Sequence, residues 1–180
     1  FNFTTATANV VEIAVAVGQV LTSNRLTAAL YDGSGNLLAT AELGADGKVA
    51  VDLGSYRGVI IARVAKDADS LPDYLDEATG QGKDLDVDLF AMGAIADSSN
   101  KLSLNINVLS TVAYKKAIET IGGNPLTDGA QLSSSIAEVT NTAIAKVFGL
   151  ERLHDQPIVT VNGANGYNPT DGVNQAEKYG

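Results

Sequence analysis

The chain has no cysteine, no tryptophan and a single histidine, and it carries 12 Lys and Arg against 21 Asp and Glu over 180 residues. Each shortage excludes something. Without cysteine there is no disulfide framework, no zinc-thiolate site and no thiol nucleophile. A formal net charge of -9 argues against nucleic-acid partners and anionic lipid surfaces, both of which need clustered Lys and Arg. No apolar run reaches the ~18 residues that suggest a membrane span, so no membrane insertion is expected. Aromatics make up 6% of the chain, which predicts an aliphatic core. The chain begins at Phe1 and not Met, and it reads as a piece of something longer.

Groups able to do chemistry are equally scarce. His154 stands beside Asp155 in a stretch that reads as loop; a lone histidine there is a surface or capping residue far more often than a base, and no Gly-x-Ser-x-Gly elbow accompanies it. Ser98-Ser99-Asn100-Lys101 has the Ser-x-x-Lys spacing but sits in a polar loop and not at a helix start. Gly33-Ser34-Gly35 is not completed to a dinucleotide fingerprint, and no Gly-Lys-Ser/Thr occurs. In the Asn162–Asp171 loop, an EF-hand frame placed with Gly172 at the invariant glycine would put Lys178 where the closing acid belongs. The expectation is a protein that is not an enzyme.

What is present is β-rich. Asn9–Val20 alternates with Val11, Ile13, Val15 and Val17 on one face, a period of two that predicts a strand. Arg25–Tyr31 is a second strand. It leads into the turn cluster Asp32-Gly33-Ser34-Gly35-Asn36, whose glycines tolerate positive φ and whose Asp and Asn bond their own backbone. Leu37–Leu43 and Lys48–Leu53 flank Gly44-Ala45-Asp46-Gly47, and the Asp-Gly pair predicts a tight hairpin between them. Arg57–Val64 supplies a further β-branched strand.

Lys66–Asp88 is the most anionic part of the chain, with eight acids against Lys66 and Lys83. Pro72–Gly80 reads as a turn or a single helical turn. Asp84–Phe90 alternates so strictly that, as a strand, it would project Asp84, Asp86 and Asp88 from one face, about 7 Å apart. Such a row either stands in water or is bridged by a hard cation. Calcium is the candidate, with Asp84, Asp86 and Asp88 as ligands and Asp32, Asn36, Asp46 and Asp52 as weaker ones. Ala91–Asn100 contains a loop, and Lys101–Val108 is the last clear strand.

From Leu109 the period lengthens to that of a helix. Ser110-Thr111 can cap a helix running to Ile121, stopped by Gly122-Gly123. Asn124–Gly129 is a turn. A second helix carries Leu132, Ile136, Val139, Ala143, Ile144, Val147 and Phe148 and ends at Gly149, with Ser135–Glu138 matching a capping box. Pro157–Asn162 returns to β character, Gly163–Gly172 is a turn, and Val173–Tyr179 reads as a terminal helix. Strands followed by helices predict an α+β fold: an antiparallel β-sandwich over residues 1–108 and, over 109–180, a helical hairpin with a C-terminal turn and short helix packed against it.

The unit from Tyr31 to Gly58 and the strand after it resemble carboxypeptidase-regulatory-like, transthyretin-like or Ig-like β-sandwich modules of large bacterial surface proteins. Asn105–Ala113, Ala143–Leu150 and Asn162–Gly180 resemble a pattern that follows such a sandwich in repeat-containing bacterial adhesins and biofilm-matrix proteins. The resemblance implies a structural or adhesive module of a secreted or surface-anchored bacterial protein, extracellular and self-associating or packed on neighbouring modules. In its more specific form, the strand Phe1–Val20 docks on a neighbour's sheet edge to build a filament. The alternative is a carbohydrate-binding accessory module, whose aromatic platforms would have to come from Tyr31, Tyr56, Tyr74, Tyr114, Tyr167 and Tyr179.

Overall fold

The run Gly58–Val64, GVIIARV, is apolar on both faces, and a strand tolerates that only when a layer covers each side. In the computed structural model, which describes residues 8–21, 26–66, 69, 71–76, 79–96 and 99–154, with Gln19 as backbone only, both layers exist. Ile60, Ala62 and Val64 of this strand join a cluster with Val11, Ile13, Val15, Leu104 and Ile106. Val59 and Ile61, on the opposite face, join Met92, Ala113, Tyr114, Ala117, Leu132 and Ala137. One sheet is therefore buried against another sheet on one side and against helices on the other.

In chain order the elements are β1 (Val10–Val15), β2 (Gln19–Val20), β3 (Thr27–Asp32), β4 (Leu37–Glu42), β5 (Lys48–Asp52), β6 (Gly58–Val64), β7 (Tyr74–Asp76), β8 (Gln81–Lys83), β9 (Leu89–Ile95), β10 (Lys101–Ile106), α1 (Val108–Ile121), α2 (Pro125–Asp128) and α3 (Ser134–Val147). The central sheet has the order β4-β3-β6-β9, the sheet facing it β10-β1-β5, and a small third one β2-β7-β8. The fold is mixed α+β with several antiparallel sheets and three helices among the described residues. The alternation expected of the first strand is observed, with Val11, Ile13 and Val15 buried.

The structure corrects several expectations. The sheets are not purely antiparallel, since β1 runs parallel to β10, pairing Val10 with Lys101 through Val15 with Ile106. A parallel pair needs a long crossover, and the chain between β1 and β10 supplies it by building the central sheet. The Asp46-Gly47 turn does not close a hairpin. β4 pairs with β3, whereas β5 pairs with β1 in the other sheet. The turn is tight, with Gly47 N–H donating to Gly44 O at 2.9 Å and Gly44 N–H to Lys48 O at 2.9 Å, but it hands the chain from one sheet to the other. The apolar residues on either side of it face each other across the core, which residues of one hairpin face could not do. The true hairpin is β3–β4, closed by Asp32–Asn36.

Asp84–Asp88 is not a strand, and pairing begins only at Leu89. Leu85 is buried while Val87 is 55% exposed, so the alternation is broken. Pro72–Gly80, expected as a turn or a single helical turn, instead begins with the strand Tyr74–Asp76, β7, paired with β8, and the turn follows it, with Thr79 N–H and Gly80 N–H donating to Asp76 O at 3.3 and 2.7 Å. Conversely, Leu89–Ile95, of which only Leu89 and Phe90 fell within an expected strand, is β9. Its small residues are explained by crowding: a Cβ on Gly93 would lie 3.0 Å from both Leu102 Cδ1 and Leu104 Cδ2 of the facing sheet.

The start of α1 lies earlier than expected. Asn107 is the N-cap, and Ser110 is its partner in a capping box, with Ser110 N–H donating to Asn107 Oδ1 at 2.9 Å and Asn107 N–H to Ser110 Oγ at 2.9 Å. The Asn107→Ala variant is expected to lose about 1–2 kcal/mol in chemical denaturation, and a smaller loss than that of Ser133→Ala at the exposed N-cap of α3 would contradict the role. α3 is capped by Ser133, two residues before the expected box, and Gly149 follows it at φ 69°. The expected elements at Phe1–Thr7, Pro157–Asn162, Gly163–Gly172 and Val173–Tyr179 lie outside the described residues, as do Ser98 and the Asn162–Asp171 loop.

Candidate functional site

β9 is an edge strand of the central sheet, and an edge presents unpaired backbone groups that proteins usually cover. Here the helices cover its first half. Phe90 N–H donates to Thr111 Oγ1 at 2.9 Å, and Phe90 O accepts from Ser110 Oγ at 2.6 Å. Met92 O accepts from Asn141 Nδ2 at 2.8 Å. Ser110 and Thr111 thus serve the sheet edge while they also serve the start of α1, where Thr111 Oγ1 donates to Asn107 O at 2.7 Å. The ring of Phe90 stacks on Tyr114, with centroids 4.4 Å apart.

Tyr114 sits at the centre of the helical layer, 1% exposed, and its hydroxyl donates to Asn124 Oδ1 at 2.7 Å. Burial pushes its hydroxyl up to about 12, partly opposed by Arg63 and assisted by Asp128. It is a core residue and cannot serve as a platform for a sugar. Tyr167 and Tyr179 lie outside the described residues.

Beyond Met92 the edge of β9 runs into a cleft of about 900 Å³, whose walls are α3, residues 57–58 and residues 151–154. Arg57 lines it and clamps the β9–β10 connection, donating from Nη1 to Ala96 O at 2.6 Å and from Nη2 to Asn100 Oδ1 at 3.0 Å. His154, half-buried, lines it too. Its Nδ1 accepts from Asn105 N–H at 3.3 Å, and its carbonyl accepts from Asn105 Nδ2 at 3.1 Å. The histidine therefore pins the chain to β10, and sequence alone had no means of naming Asn105 as its partner. Arg57 and Asn141 carried no signal in the sequence either, because each acts on a strand distant along the chain.

The expected row of carboxylates is not formed. Asp88 turns to Arg63, at 2.8 Å from Nη2 and 3.0 Å from Nε, and also accepts from Lys66 N–H at 2.8 Å. Among the described residues no group of three or more His, Asp or Glu side chains is placed to hold a metal ion. The weaker candidates are occupied by their own turns: Asp46 Oδ1 accepts from Lys48 N–H at 3.1 Å, and Asp52 Oδ1 from Gly54 N–H at 2.7 Å. Asp32 accepts from Ser34 N–H at 2.8 Å, Asn36 N–H at 2.9 Å and Asn36 Nδ2 at 2.8 Å. Burial alone would raise the Asp32 carboxyl, but the bonds from Asn36, Ser34 and Gly35 outweigh it and hold the group below its ordinary value.

If Asp88 is an ion-pair residue and not a ligand, Asp88→Asn should lower stability by about 0.5–1 kcal/mol, by the same amount with calcium as with chelator. A loss seen only with calcium present would restore the metal reading. Among the described residues the acid that is fully buried is Asp73, whose Oδ2 accepts from Leu85 N–H at 2.7 Å. No helix among the described residues is long and apolar enough to cross a membrane. Set against protein-family models, curated proteins and solved structures, the chain matches none of them.

Proposed function

We propose that the chain is a non-catalytic structural or adhesive module of a secreted or surface-anchored bacterial protein, and that it self-associates in an extracellular matrix or filament. The observation that supports this best is the use made of Asn105–Ala113, the stretch whose resemblance to adhesin and biofilm-matrix modules is most specific. Asn105 holds His154, Asn107 and Ser110 cap α1, and Ser110 and Thr111 bond the β9 edge. Ser110 and Thr111 join the β9 edge to the start of α1, Asn107 caps that helix, and Asn105 ties β10 to the stretch that follows α3, the engagement a scaffold requires. On this reading the two larger sheets form a transthyretin-like or Ig-like sandwich, and α1 and α3 form a helical hairpin laid on its outer face.

Sizing and electron microscopy of the purified chain test the proposal. The expected result is concentration-dependent assembly, reduced by removal of Phe1–Thr7. A species that stays monomeric at millimolar concentration would remove the self-associating form, and specific retention on a glycan array would move the assignment to a carbohydrate-binding module.

A further inference from the structure

The outer face of α3 is apolar where a solvated helix would be polar. Among the described residues, five of the eight large apolar side chains left exposed, Val108, Val112, Val139, Val147 and Phe148, belong to α1, to α3 or to the cap that follows it. Scattered apolar residues need no explanation, but those of α3 are aligned. Val139, 64% exposed, and Val147, 75% exposed, bracket the exposed Ala143 at intervals of four, which stacks the three side chains along one side of the helix. Local structure does not ask for them, since a branched Cβ loses χ1 freedom against the preceding turn. Nor does the core, which α3 already supplies with Ala137, Thr140 and Ala145 from its inner face.

The charges beside this stripe select its occupant. Glu138 and Lys146 each stand one position before a valine of the stripe and so share one flank of it. Both are exposed, and among the described residues neither side chain has a hydrogen-bond or ion-pair partner, whereas Lys116 and Glu119 of α1 pair with each other at 3.2 Å. Eight residues separate them, about 12 Å along the axis, which is too far for a pair within one helix. A second copy of the same helix, antiparallel and crossing at Ala143, sets Val139 beside the other chain's Val147. A two-fold axis keeps like flanks together, so Glu138 then meets Lys146 of the second copy and Lys146 meets its Glu138. Parallel contact would set glutamate against glutamate and lysine against lysine. The formal charge of -9 disfavours the other apolar surface such a face could enter, an anionic bilayer.

We propose that this face is a dimer contact, in which α3 packs antiparallel on α3 of a second copy about a two-fold axis at Ala143. It rests on the self-association proposed above and names one surface for it, but a contact of this symmetry closes at two chains. The small side chain of Ala143 lets the helices approach, the valines fill the seam, and two Glu138–Lys146 pairs fix the direction. A helix of 14 residues is about 21 Å long. One such pair falls short of the roughly 1,600 Å² of a standard interface, so the dimer is weak and transient.

Sedimentation equilibrium of the full chain at low salt tests the contact. Glu138→Lys and Lys146→Glu are each expected to weaken dimerisation about fivefold or more, because each turns two attractions into repulsions. The double variant Glu138→Lys with Lys146→Glu should return to within about twofold of wild type. Unchanged dimerisation in the single variants, or a double variant as weak as they are, would overturn the proposal. The absence of cysteine allows a second reading. Ala143→Cys should form an interchain disulfide about tenfold faster than Glu119→Cys, on an exposed position of α1, since only the former lies at the axis; equal rates would refute the axis. Removal of Phe1–Thr7 should leave the dimer intact, and a dimer that disappears with that segment would belong to the N-terminal strand and not to α3. A dimer that meets these tests without any larger assembly upholds the α3 contact while removing the filament.

Discussion

Replacing Gly35 by alanine is expected to cost about 3 kcal/mol of stability, although the residue lies in an exposed-looking turn of ordinary sequence. Two effects combine. The φ of Gly35 is +83°, where an L side chain is strained by about 1–2 kcal/mol. A Cβ there would also stand 2.2 Å from Pro125 O and 2.8 Å from Pro125 C, and backbone atoms cannot swing aside as a side-chain tip does. Forcing the turn away from α2 adds an overpacking cost of about 1–3 kcal/mol. The neighbouring contact would suffer too, because Leu132 N–H donates to Gly33 O at 2.8 Å and Gly33 leaves only 2.4 Å between a would-be Cβ and Leu132 O. Gly54 provides the control: its φ is +59°, yet nothing lies within 4 Å of a Cβ. Gly54→Ala should therefore lose only the conformational part, about 1–2 kcal/mol. Denaturant titrations giving equal losses for the two variants would show that the β3–β4 turn does not bear on the helical layer.

Truncating Tyr114 to alanine is expected to cost about 3–5 kcal/mol, the range for removing a fully buried aromatic ring. The ring joins three parts of the molecule: it stacks on Phe90 of β9, lies in the cluster with Met92 and Ala137, and bonds Asn124 at the N-cap of α2. Tyr114→Phe removes only the hydroxyl and should cost about 1 kcal/mol, since Asn124 Oδ1 still accepts from Leu126 N–H at 3.0 Å. The two variants also separate in alkali. Burial raises the folded-state value to about 12 from an ordinary value near 10. The stability linked to this group is fully present below about pH 10 and is lost as pH rises toward 12. Wild type should therefore lose more stability over that interval than Tyr114→Phe does. Parallel curves, or a phenol absorbance titration with every described tyrosine ionising near pH 10, would show the ring to be accessible.

Legibility in the sequence followed the range of the interaction. The period-two pattern Val11, Ile13, Val15 named a strand correctly because burial on one face is written locally. The helices from Val108 and Ser134 were legible from their period and from Gly122 and Gly149, though their caps fell at Asn107 and Ser133, earlier than the Ser residues that first suggested them. The Asp46-Gly47 turn was recognisable as a turn, but not as a passage between sheets. Whether the strands beside a tight turn pair depends on which partners their other edges find, here β3 and β1. The alternation in Asp84–Phe90 misled for a related reason. Asp88 was drawn to Arg63 and to Lys66 N–H, contacts that no local pattern announces. At the cleft, the residues were visible but their roles were not: Arg57, Asn105 and Asn141 each act on a chain segment 39 or more residues away.

By itself the sequence determined the aliphatic core, the order of strands before helices, and the positions where the chain turns, because side-chain volume, periodicity and glycine's access to positive φ act within a few residues. Only the tertiary structure decided which strands pair, that β1 and β10 run parallel, that β6 is buried on both faces, and that the second half of β9 opens on a cleft. Those outcomes come from matching apolar faces and backbone hydrogen bonds between segments far apart along the chain, and such matching is settled only when all the layers are assembled together.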